Sequence, residues 1–258
     1  PGDNALAIEL TDLAGNTGQA NLTVTRVDPT VEDPVAPVLA AALRTDTGRS
    51  NSDGITRDAT IAGVATDDTA LSVLRAGFGS DPATFVDVLD TVQADGSFVL
   101  DLPRLALING GALPDGNYTL SLRAEDAAGN AAATRVVFAL DTQAPAAPSV
   151  GLSPASDTGA VGDGETEAAR VTLVGGTEAN ADLLLLETST NGVASNSGRF
   201  FLPDVPLALG DNSITVRAID AAGNAAQTSL LLQRSATQTS GDAVLQWFDP
   251  RLMQYDKS

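Results

Sequence analysis

Apolar and polar residues alternate along most of this chain, in short runs separated by polar turns. One such run, with Leu120, Leu122 and Ala124 at alternate positions, leads directly into Asp-Ala-Ala-Gly-Asn at 126–130. Successive side chains of a β-strand point to opposite faces of the sheet, so this alternation predicts a strand with one buried face. A second alternating run, 134–140, follows. The two runs and the turn between them predict a β-hairpin.

The turn sequence itself recurs. Asp-Ala-Ala-Gly-Asn stands again at 220–224, and the variant Asp-Leu-Ala-Gly-Asn stands at 12–16, each between two alternating runs. Aspartate starts such a turn by accepting hydrogen bonds from its own backbone, and glycine adopts the positive φ that the return into the sheet requires. A turn that returns at long intervals predicts a chain built from tandem repeats.

The alternating runs are short, and many of them fill each interval between the turns. Many short strands joined by glycine- and proline-rich turns are typical of antiparallel β-sandwiches. The predicted fold class is therefore all-β, with two complete sandwiches in tandem and a partial one at the N-terminus. The predicted strands are 38–43, 60–65, 72–78, 85–92, 98–102, 119–125 and 134–140 in the first complete sandwich, and 150–152, 170–174, 183–187, 200–202, 214–219 and 228–233 in the second.

Proline-marked linkers and shifts in composition divide the chain into segments. We call the two complete units repeat I (37–141) and repeat II (142–234). Residues 1–28 are the C-terminal hairpin of a partial repeat, and residues 29–36 form an extended linker. Residues 235–258 combine a flexible linker with the start of an unassigned segment.

Composition narrows the range of functions. The chain of 258 residues has no cysteine and no histidine, so a histidine-based catalytic triad, a thiol nucleophile and the usual zinc sites are excluded. Its formal net charge is −19, which disfavours nucleic acid and anionic lipid as partners and attracts divalent cations. No run of about 20 apolar residues is present, so no membrane span is predicted.

Several local sequences resemble one known family, the bacterial Ig-like repeats of large surface adhesins and other giant secreted proteins. They are the Asp-x-Ala-Gly-Asn turns, Leu-Asp-Thr-x-Ala-Pro at 140–145, Asp-Thr-Gly at 46–48 and 157–159, and Val-Gly-Gly-Thr-Glu-Ala-Asn-Ala at 174–181. The resemblance implies Ig-like sandwiches at the bacterial cell surface. It further implies a non-catalytic spacer or stalk whose partners are neighbouring repeats and, in some such proteins, a host or matrix glycan or protein. Calcium stiffens the junctions between repeats in several members.

Strand order in a sandwich indicates which acidic loops meet at a junction. The loop after the first strand of one repeat and the Asp-x-Ala-Gly-Asn turn of the next repeat lie at the same junction. Calcium prefers carboxylate and carbonyl oxygens and tolerates irregular geometry. The predicted calcium ligands are Asp46, Asp53, Asp58, Asp141, Asp220 and Asn224 between repeats I and II, Asp126 and Asn130 before repeat I, and Asp157 and Asp163 at the far end of repeat II.

Further acidic residues are predicted to lie at the same three places: Glu178 between the repeats, Asp28, Asp33, Asp67 and Asp68 before repeat I, and Glu165 and Asp211 at the far end of repeat II. Aspartate at a hairpin tip is also ordinary turn chemistry that needs no metal, and acidic loops are commonly just solvated.

Two other functions remain open. The sandwiches can be accessory domains of a large secreted enzyme with its catalytic domain beyond residue 258, since 244–247 resembles the opening of vanadium haloperoxidase-like domains. Repeat I can instead bind a glycan or protein directly, through the inserted segment 85–92. Catalysis within the repeats is not predicted, because paired carboxylates such as Asp67 and Asp68 lack an aromatic platform for a sugar.

Overall fold

The computed structural model describes residues 2–26 and 33–237. Residues 2–26 form an isolated β-hairpin in which β1 (Gly2–Thr11) pairs antiparallel with β2 (Thr17–Arg26). Its apolar side chains are exposed, Leu10 by 72%. The described part of the chain therefore does not cover the apolar face of this hairpin.

Repeat I is a sandwich of two sheets. One sheet has the order β3-β5-β8 and the other β4-β10-β9-β6-β7. A short 3-10 helix, Leu89–Thr91, follows β7. The other elements are β3 (Val38–Leu43), β4 (Ile55–Thr56), β5 (Ile61–Thr66), β6 (Leu71–Phe78), β7 (Val86–Asp87), β8 (Ser97–Leu100), the helix α1 (Leu102–Asn109), β9 (Gly116–Asp126) and β10 (Ala131–Leu140).

Repeat II has the same architecture without the helix. Its sheets have the orders β11-β13-β16 and β12-β18-β17-β14-β15. The strands are β11 (Ser149–Leu152), β12 (Glu165–Thr166), β13 (Arg170–Gly176), β14 (Asp182–Leu185), β15 (Thr190–Val193), β16 (Arg199–Pro206), β17 (Gly210–Ile219) and β18 (Ala225–Arg234).

The alternation in the sequence corresponds to the two faces of each sheet. On β9, Leu120, Leu122 and Ala124 are at most 1% exposed, and they face the core between the two sheets. The corresponding residues of β17 are buried in the same way in repeat II. This confirms the predicted all-β fold of tandem antiparallel sandwiches.

Two short strands go beyond a purely antiparallel pattern. β4 pairs parallel to β10, and β12 pairs parallel to β18. In each repeat the chain leaves the first strand, forms a polar loop, and joins the opposite sheet beside its last strand. The loop between β3 and β4 is thereby held at the end of repeat I where β10 finishes.

The predicted strand 85–92 is wrong for most of its length. Only Val86–Asp87 is a strand, and the chain then turns into the 3-10 helix. The Asp87 carboxylate accepts a hydrogen bond from the Leu89 backbone N–H at 2.9 Å, which bends the chain, and Val88 is fully buried. The apolar residues here fill the core from a bend, so their order has no strand periodicity.

The connection after β8 contains the helix α1, which the sequence analysis did not predict. Asp101 caps its first turn by accepting from the Arg104 N–H at 3.0 Å, and Pro103 lies in that turn. Gly110 ends the helix in the left-handed conformation, with φ of 75°. Leu105 and Ile108 bury one face of the helix against the core of repeat I.

Some predicted features lie outside the described residues, namely most of the linker 29–36, residue Asp28 and the unassigned segment after 237. Among the described residues no helix has the length and apolar character that crossing a membrane requires.

Candidate functional site: the junctions between repeats

The turn at 220–224 of repeat II lies against the polar loop that follows β3 of repeat I. The Thr47 hydroxyl donates a hydrogen bond to the Ala222 carbonyl at 2.5 Å. The Asn224 side-chain amide donates to the Asp141 carbonyl at 2.9 Å, in the segment 141–148 that joins β10 to β11 and is called the linker between the repeats. Ala222 is fully buried and Asn224 is 8% exposed. The two repeats are therefore in direct contact where β10 ends and where β17 turns into β18.

Two glycines allow the backbones to approach closely at this junction. Gly48 has a φ of 99°, and a Cβ built on it would lie 1.9 Å from the Ala221 carbonyl oxygen. A Cβ on Gly223 would lie 2.9 Å from the Gly48 nitrogen. Any side chain at either position would collide with backbone, so the fit depends on glycine on both sides.

Two arginines of repeat I bind acceptors on repeat II. The Arg49 guanidinium contacts both carboxylate oxygens of Asp182, with nitrogen–oxygen distances of 2.8 and 2.7 Å, and also donates to the Asn180 carbonyl. Arg57 donates to the Gly223 carbonyl at 2.7 Å. A bidentate guanidinium–carboxylate pair restricts orientation as well as distance, so these bonds resist bending of one repeat relative to the other.

The Arg49–Asp182 pair should contribute measurably to the docking of the two repeats. Combining Arg49→Met and Asp182→Asn in a double-mutant cycle should give a coupling of about 0.2–1 kcal/mol in urea unfolding, since the side chains are 47% and 31% exposed and solvent screens the pair. The Arg170–Asp204 pair, 59% and 73% exposed, is the control and should couple more weakly. Equal coupling in the two pairs would contradict a special contribution at the junction.

The turn aspartates use their carboxylates to build the turn. Asp126 Oδ1 accepts from the Gly129 and Asn130 N–H groups at 2.6 and 2.9 Å, and its Oδ2 accepts from the Asn130 amide at 2.7 Å. Burial by itself raises the pKa of Asp126, but the hydrogen bonds from Asn130 and Gly129 outweigh it, and the pKa is lowered. Asp220 and Asn224 repeat the arrangement at 2.8 and 3.0 Å.

The other predicted calcium ligands also make local backbone bonds. Each of the following carboxylates accepts from an N–H group of its own repeat or of the linker that follows it: Asp46 from Gly54, Asp53 from Ile55, Asp58 from Thr60, Asp141 from Gln143, Asp157 from Gly162 and Asp163 from Glu165. The structure brings Asp141, Asp220 and Asn224 together, through the Asn224 bond to the Asp141 carbonyl. A role of these residues as calcium ligands stays a prediction.

Within residues 2–26 and 33–237, one group of three acidic side chains is close enough to share a cation. Asp33, Asp67 and Asp68 each place a carboxylate oxygen within 4.8 Å of the others, where the linker 29–36 meets the turn between β5 and β6. The Thr69 hydroxyl lies between two of them, 2.8 Å from Asp33 Oδ2 and 2.7 Å from Asp67 Oδ2. The Asn130 amide of the adjacent turn donates to the Asp33 carbonyl at 2.6 Å.

One oxygen of this acidic cluster stands out. Asp67 Oδ1 is buried and has no hydrogen-bond partner.

The sequence analysis placed all three residues at this junction but did not include them among the ligands. It named Thr47 only as part of Asp-Thr-Gly, with no contact assigned to it, and it missed Arg49 and Arg57. A signal was present for Arg49, which directly follows Asp-Thr-Gly in a chain with only 14 basic residues, whereas Arg57 follows β4 and carries no such signal.

An open groove of about 550 Å³ lies on the outer face of repeat I. It is lined by residues that include Phe85, Arg123 and Arg135. The Phe85 ring is 39% exposed, Arg123 pairs with Glu125, and Arg135 donates to the Ser80 carbonyl at 2.7 Å. The segment 85–92, which the sequence analysis considered for binding, thus contributes the Phe85 ring to a groove that two arginine side chains also line.

Bacterial adhesins are among the solved structures to which this chain is similar. A tetra-tandem repeat from the extending region of a large adhesion protein is 24% identical over 92% of this chain and 57% of that chain, with a TM-score of 0.32. A Ca²⁺-stabilized adhesin with which an Antarctic bacterium binds ice is 20% identical over 91% of this chain and 57% of that chain, with a TM-score of 0.42. The chain thus spans a little over half the length of either structure. No curated protein sequence matches it.

Comparison with protein families identifies one family. The model of the bacterial Ig-like domain matches twice in tandem, over residues 30–142 and 144–233. The two matches correspond to the two sandwiches of the structure and together cover most of the chain. This protein therefore belongs to the bacterial Ig-like domain family, as its local sequences suggested.

Proposed function

We propose that this chain is a non-catalytic, extracellular spacer section of a bacterial adhesin or other large surface protein. The observation that carries the proposal is the junction between repeats I and II, in which loop, linker and turn are joined by direct bonds. A spacer transmits length only if successive domains resist bending, and domains joined by a free linker do not.

Three kinds of contact support stiffness at this junction. The Thr47 and Asn224 hydrogen bonds tie the turn to the loop and to the linker. The Arg49 side chain forms an ion pair with Asp182 at the start of β14 in repeat II. Pro145 and Pro148 of the linker are buried, and proline has a fixed φ. Bending would have to break several of these contacts at once.

Distance measurements across the junction test the spacer function. The chain has no cysteine, so spin labels on Val137→Cys and Leu231→Cys are unique. These side chains are 70% and 65% exposed, and they lie on the last strand of each repeat. Electron–electron double resonance should show one narrow distance distribution. A distribution as broad as that of a flexible linker would overturn the proposal.

We further propose that calcium binds the acidic cluster of Asp33, Asp67 and Asp68 and stiffens the junction before repeat I. Three carboxylates so close together repel one another unless a cation neutralises their charge. Asp67 Oδ1 is also buried without a hydrogen-bond donor, which costs free energy unless a ligand binds it. Calcium takes 6–8 oxygen ligands at about 2.3–2.6 Å, from carboxylates, carbonyls and water. The cluster supplies oxygens suited to that cation.

Calcium should therefore bind and stabilise the chain, and Asp67→Asn should abolish the effect. At a calcium concentration about 100 times Kd, the expected gain in the free energy of unfolding is about 2.7 kcal/mol. Calorimetric titration and thermal melting of the chelated and the calcium-loaded chain measure both quantities. Asp81→Asn removes the same charge from an exposed site of repeat I and is the control. No heat and no shift in melting temperature would contradict the calcium site.

The groove at Phe85 supports a second candidate, direct binding of a glycan or protein by repeat I. An exposed aromatic ring beside two arginines can stack on a sugar and bind its acidic groups. A glycan array probed with the full chain, with Phe85→Ala as the control, would test it. The alternative of accessory domains beside a catalytic domain depends on 244–247, which lie outside the described residues.

A further inference from the structure

The far end of repeat II reproduces the loop with which repeat I receives its neighbour. Thr158 Oγ1 accepts from the Glu167 N–H at 2.7 Å, as Thr47 Oγ1 accepts from the Arg57 N–H at 2.9 Å. The aspartate that precedes each threonine also accepts from a glycine N–H further along its loop, Asp157 from Gly162 at 2.6 Å and Asp46 from Gly54 at 2.8 Å.

The backbone of the two loops agrees as well. Gly159 has a φ of 112° and Gly48 a φ of 99°. The chain also leaves both repeats at the same place, since the Ser235 N–H donates to the Thr166 carbonyl and the Asp141 N–H to the Thr56 carbonyl, both at 2.9 Å. A repeat that followed Ser235 would thus start from the position from which repeat II starts after Asp141.

The two loops differ in what packs against them. The Thr47 hydroxyl donates to repeat II, whereas the acceptor that the described residues offer the Thr158 hydroxyl is Thr166 of its own repeat, at 3.4 Å. A Cβ on Gly159 would meet nothing within 4 Å, although the same atom on Gly48 would strike the turn of repeat II. Nothing in the described part of the chain fills the face formed by Thr158 and Gly159, which we call the terminal face.

The charges differ too. Where repeat I has Arg49 after its glycine, repeat II has Ala160, and where repeat I has Arg57, repeat II has Glu167. The terminal face therefore shares its threonine and positive-φ glycine with the face of repeat I, but it lacks both arginines and has a glutamate where Arg57 binds a carbonyl. A turn that docks here meets a negative charge near its glycine carbonyl.

We propose that the terminal face binds the Asp-x-Ala-Gly-Asn turn of another Ig-like repeat and that its charge selects repeats with a basic side chain at the contact. The inference rests on the proposed spacer function, because it applies the junction of repeats I and II to the next position. A copy of repeat II, with Asp182 and no basic residue in its turn, is then a poor partner, and restoring the two arginines makes it a good one.

A duplicated chain tests this inference. A second copy of residues 142–234 is inserted after Ser235, and spin labels on position 231 of repeat II and of the copy report the new junction. The unmodified duplicate should give a broad distance distribution. Ala160→Arg with Glu167→Arg should narrow it to the width found between repeats I and II, and adding Gly159→Val should broaden it again.

Each other outcome overturns part of the inference. If the two arginines leave the distribution broad, or if Gly159→Val leaves it narrow, the terminal face is not a docking site. If the unmodified duplicate is already narrow, charge does not select the partner. A second sample of the duplicated chain, labelled at 137 and 231, reports the junction of repeats I and II. A broad distribution there would mean that the spacer proposal fails, whatever happens at the terminal face.

Discussion

Replacing Gly48 with valine is expected to open the junction between repeats I and II while both sandwiches stay folded. A Cβ at this position would lie 1.9 Å from the Ala221 carbonyl oxygen and 2.8 Å from its carbon. Backbone atoms cannot move aside as a flexible side chain can, so the turn of repeat II has to leave the loop. The Thr47 hydrogen bond and the Arg57 bond to the Gly223 carbonyl are then lost together.

The measurement is the distance distribution between labels at positions 137 and 231, which should change from narrow to broad. Gly159→Val is a matched control, since Gly159 has a φ of 112° and an added Cβ meets nothing within 4 Å. Both substitutions impose backbone strain of about 1–3 kcal/mol, but only the one at Gly48 introduces a clash between repeats. If the two variants gave the same distribution, the close approach at Gly48 would not hold the junction together.

Replacing Gly175 with alanine is expected to lower the free energy of unfolding of repeat II by about 1–3 kcal/mol. Gly175 lies in β13, opposite Phe200 of β16. An added Cβ would lie 2.0 Å from the Ser149 carbonyl oxygen and 2.4 Å from the Phe200 ring. The phenylalanine packs over the bare glycine backbone, so a methyl group displaces both the ring and the edge strand β11.

Urea unfolding measures the effect, and Gly151→Ala in β11 is the control. An added Cβ on Gly151 has no neighbour within 4 Å, so this variant should lose no stability. Repeat I has the same pair, in which a Cβ on Gly63 would lie 2.4 Å from the ring of Phe98. Gly63→Ala should therefore destabilise repeat I in the same way. Equal stability of the Gly175 and Gly151 variants would show that the packing of this glycine and ring is dispensable.

The hairpins and the sandwich fold were predictable because their signals are local. Alternation along β9 and β17 records which side chains face the core, and the turn aspartates bond to the backbone of their own turn. Signals for the helix α1 were also present, in Asp101, Pro103 and Gly110, but the helix is too short for a clear apolar period. The segment 85–92 misled because an apolar run that packs from a bend resembles a strand in composition.

Local sequence signals did not predict which atoms make the contacts at the junction of repeats I and II. Sequence order and strand direction indicated that the loop at Asp46 and the turn at Asp220 belong to the same end of the molecule. Which atoms meet there depends on two separately folded repeats, and the contacts join residues far apart in the chain, such as Thr47 and Ala222. The direct contacts join arginines, the Thr47 hydroxyl and the Asn224 amide to backbone carbonyls and to the Asp182 carboxylate, while the Asp220 carboxylate bonds within its own turn.

By itself, the sequence determined that this protein is a series of antiparallel β-sandwiches with acidic loops, because strand period and turn chemistry act over a few residues, and its local motifs resembled those of Ig-like repeats. Only the tertiary structure decided that the carboxylates of Asp33, Asp67 and Asp68 come within 4.8 Å of one another and that Arg49 reaches Asp182. These positions depend on how the sheets and repeats pack, which no local pattern records. Within residues 2–26 and 33–237, the same packing leaves the terminal face of repeat II uncovered, with its glycine in the backbone conformation that repeat I uses at Gly48.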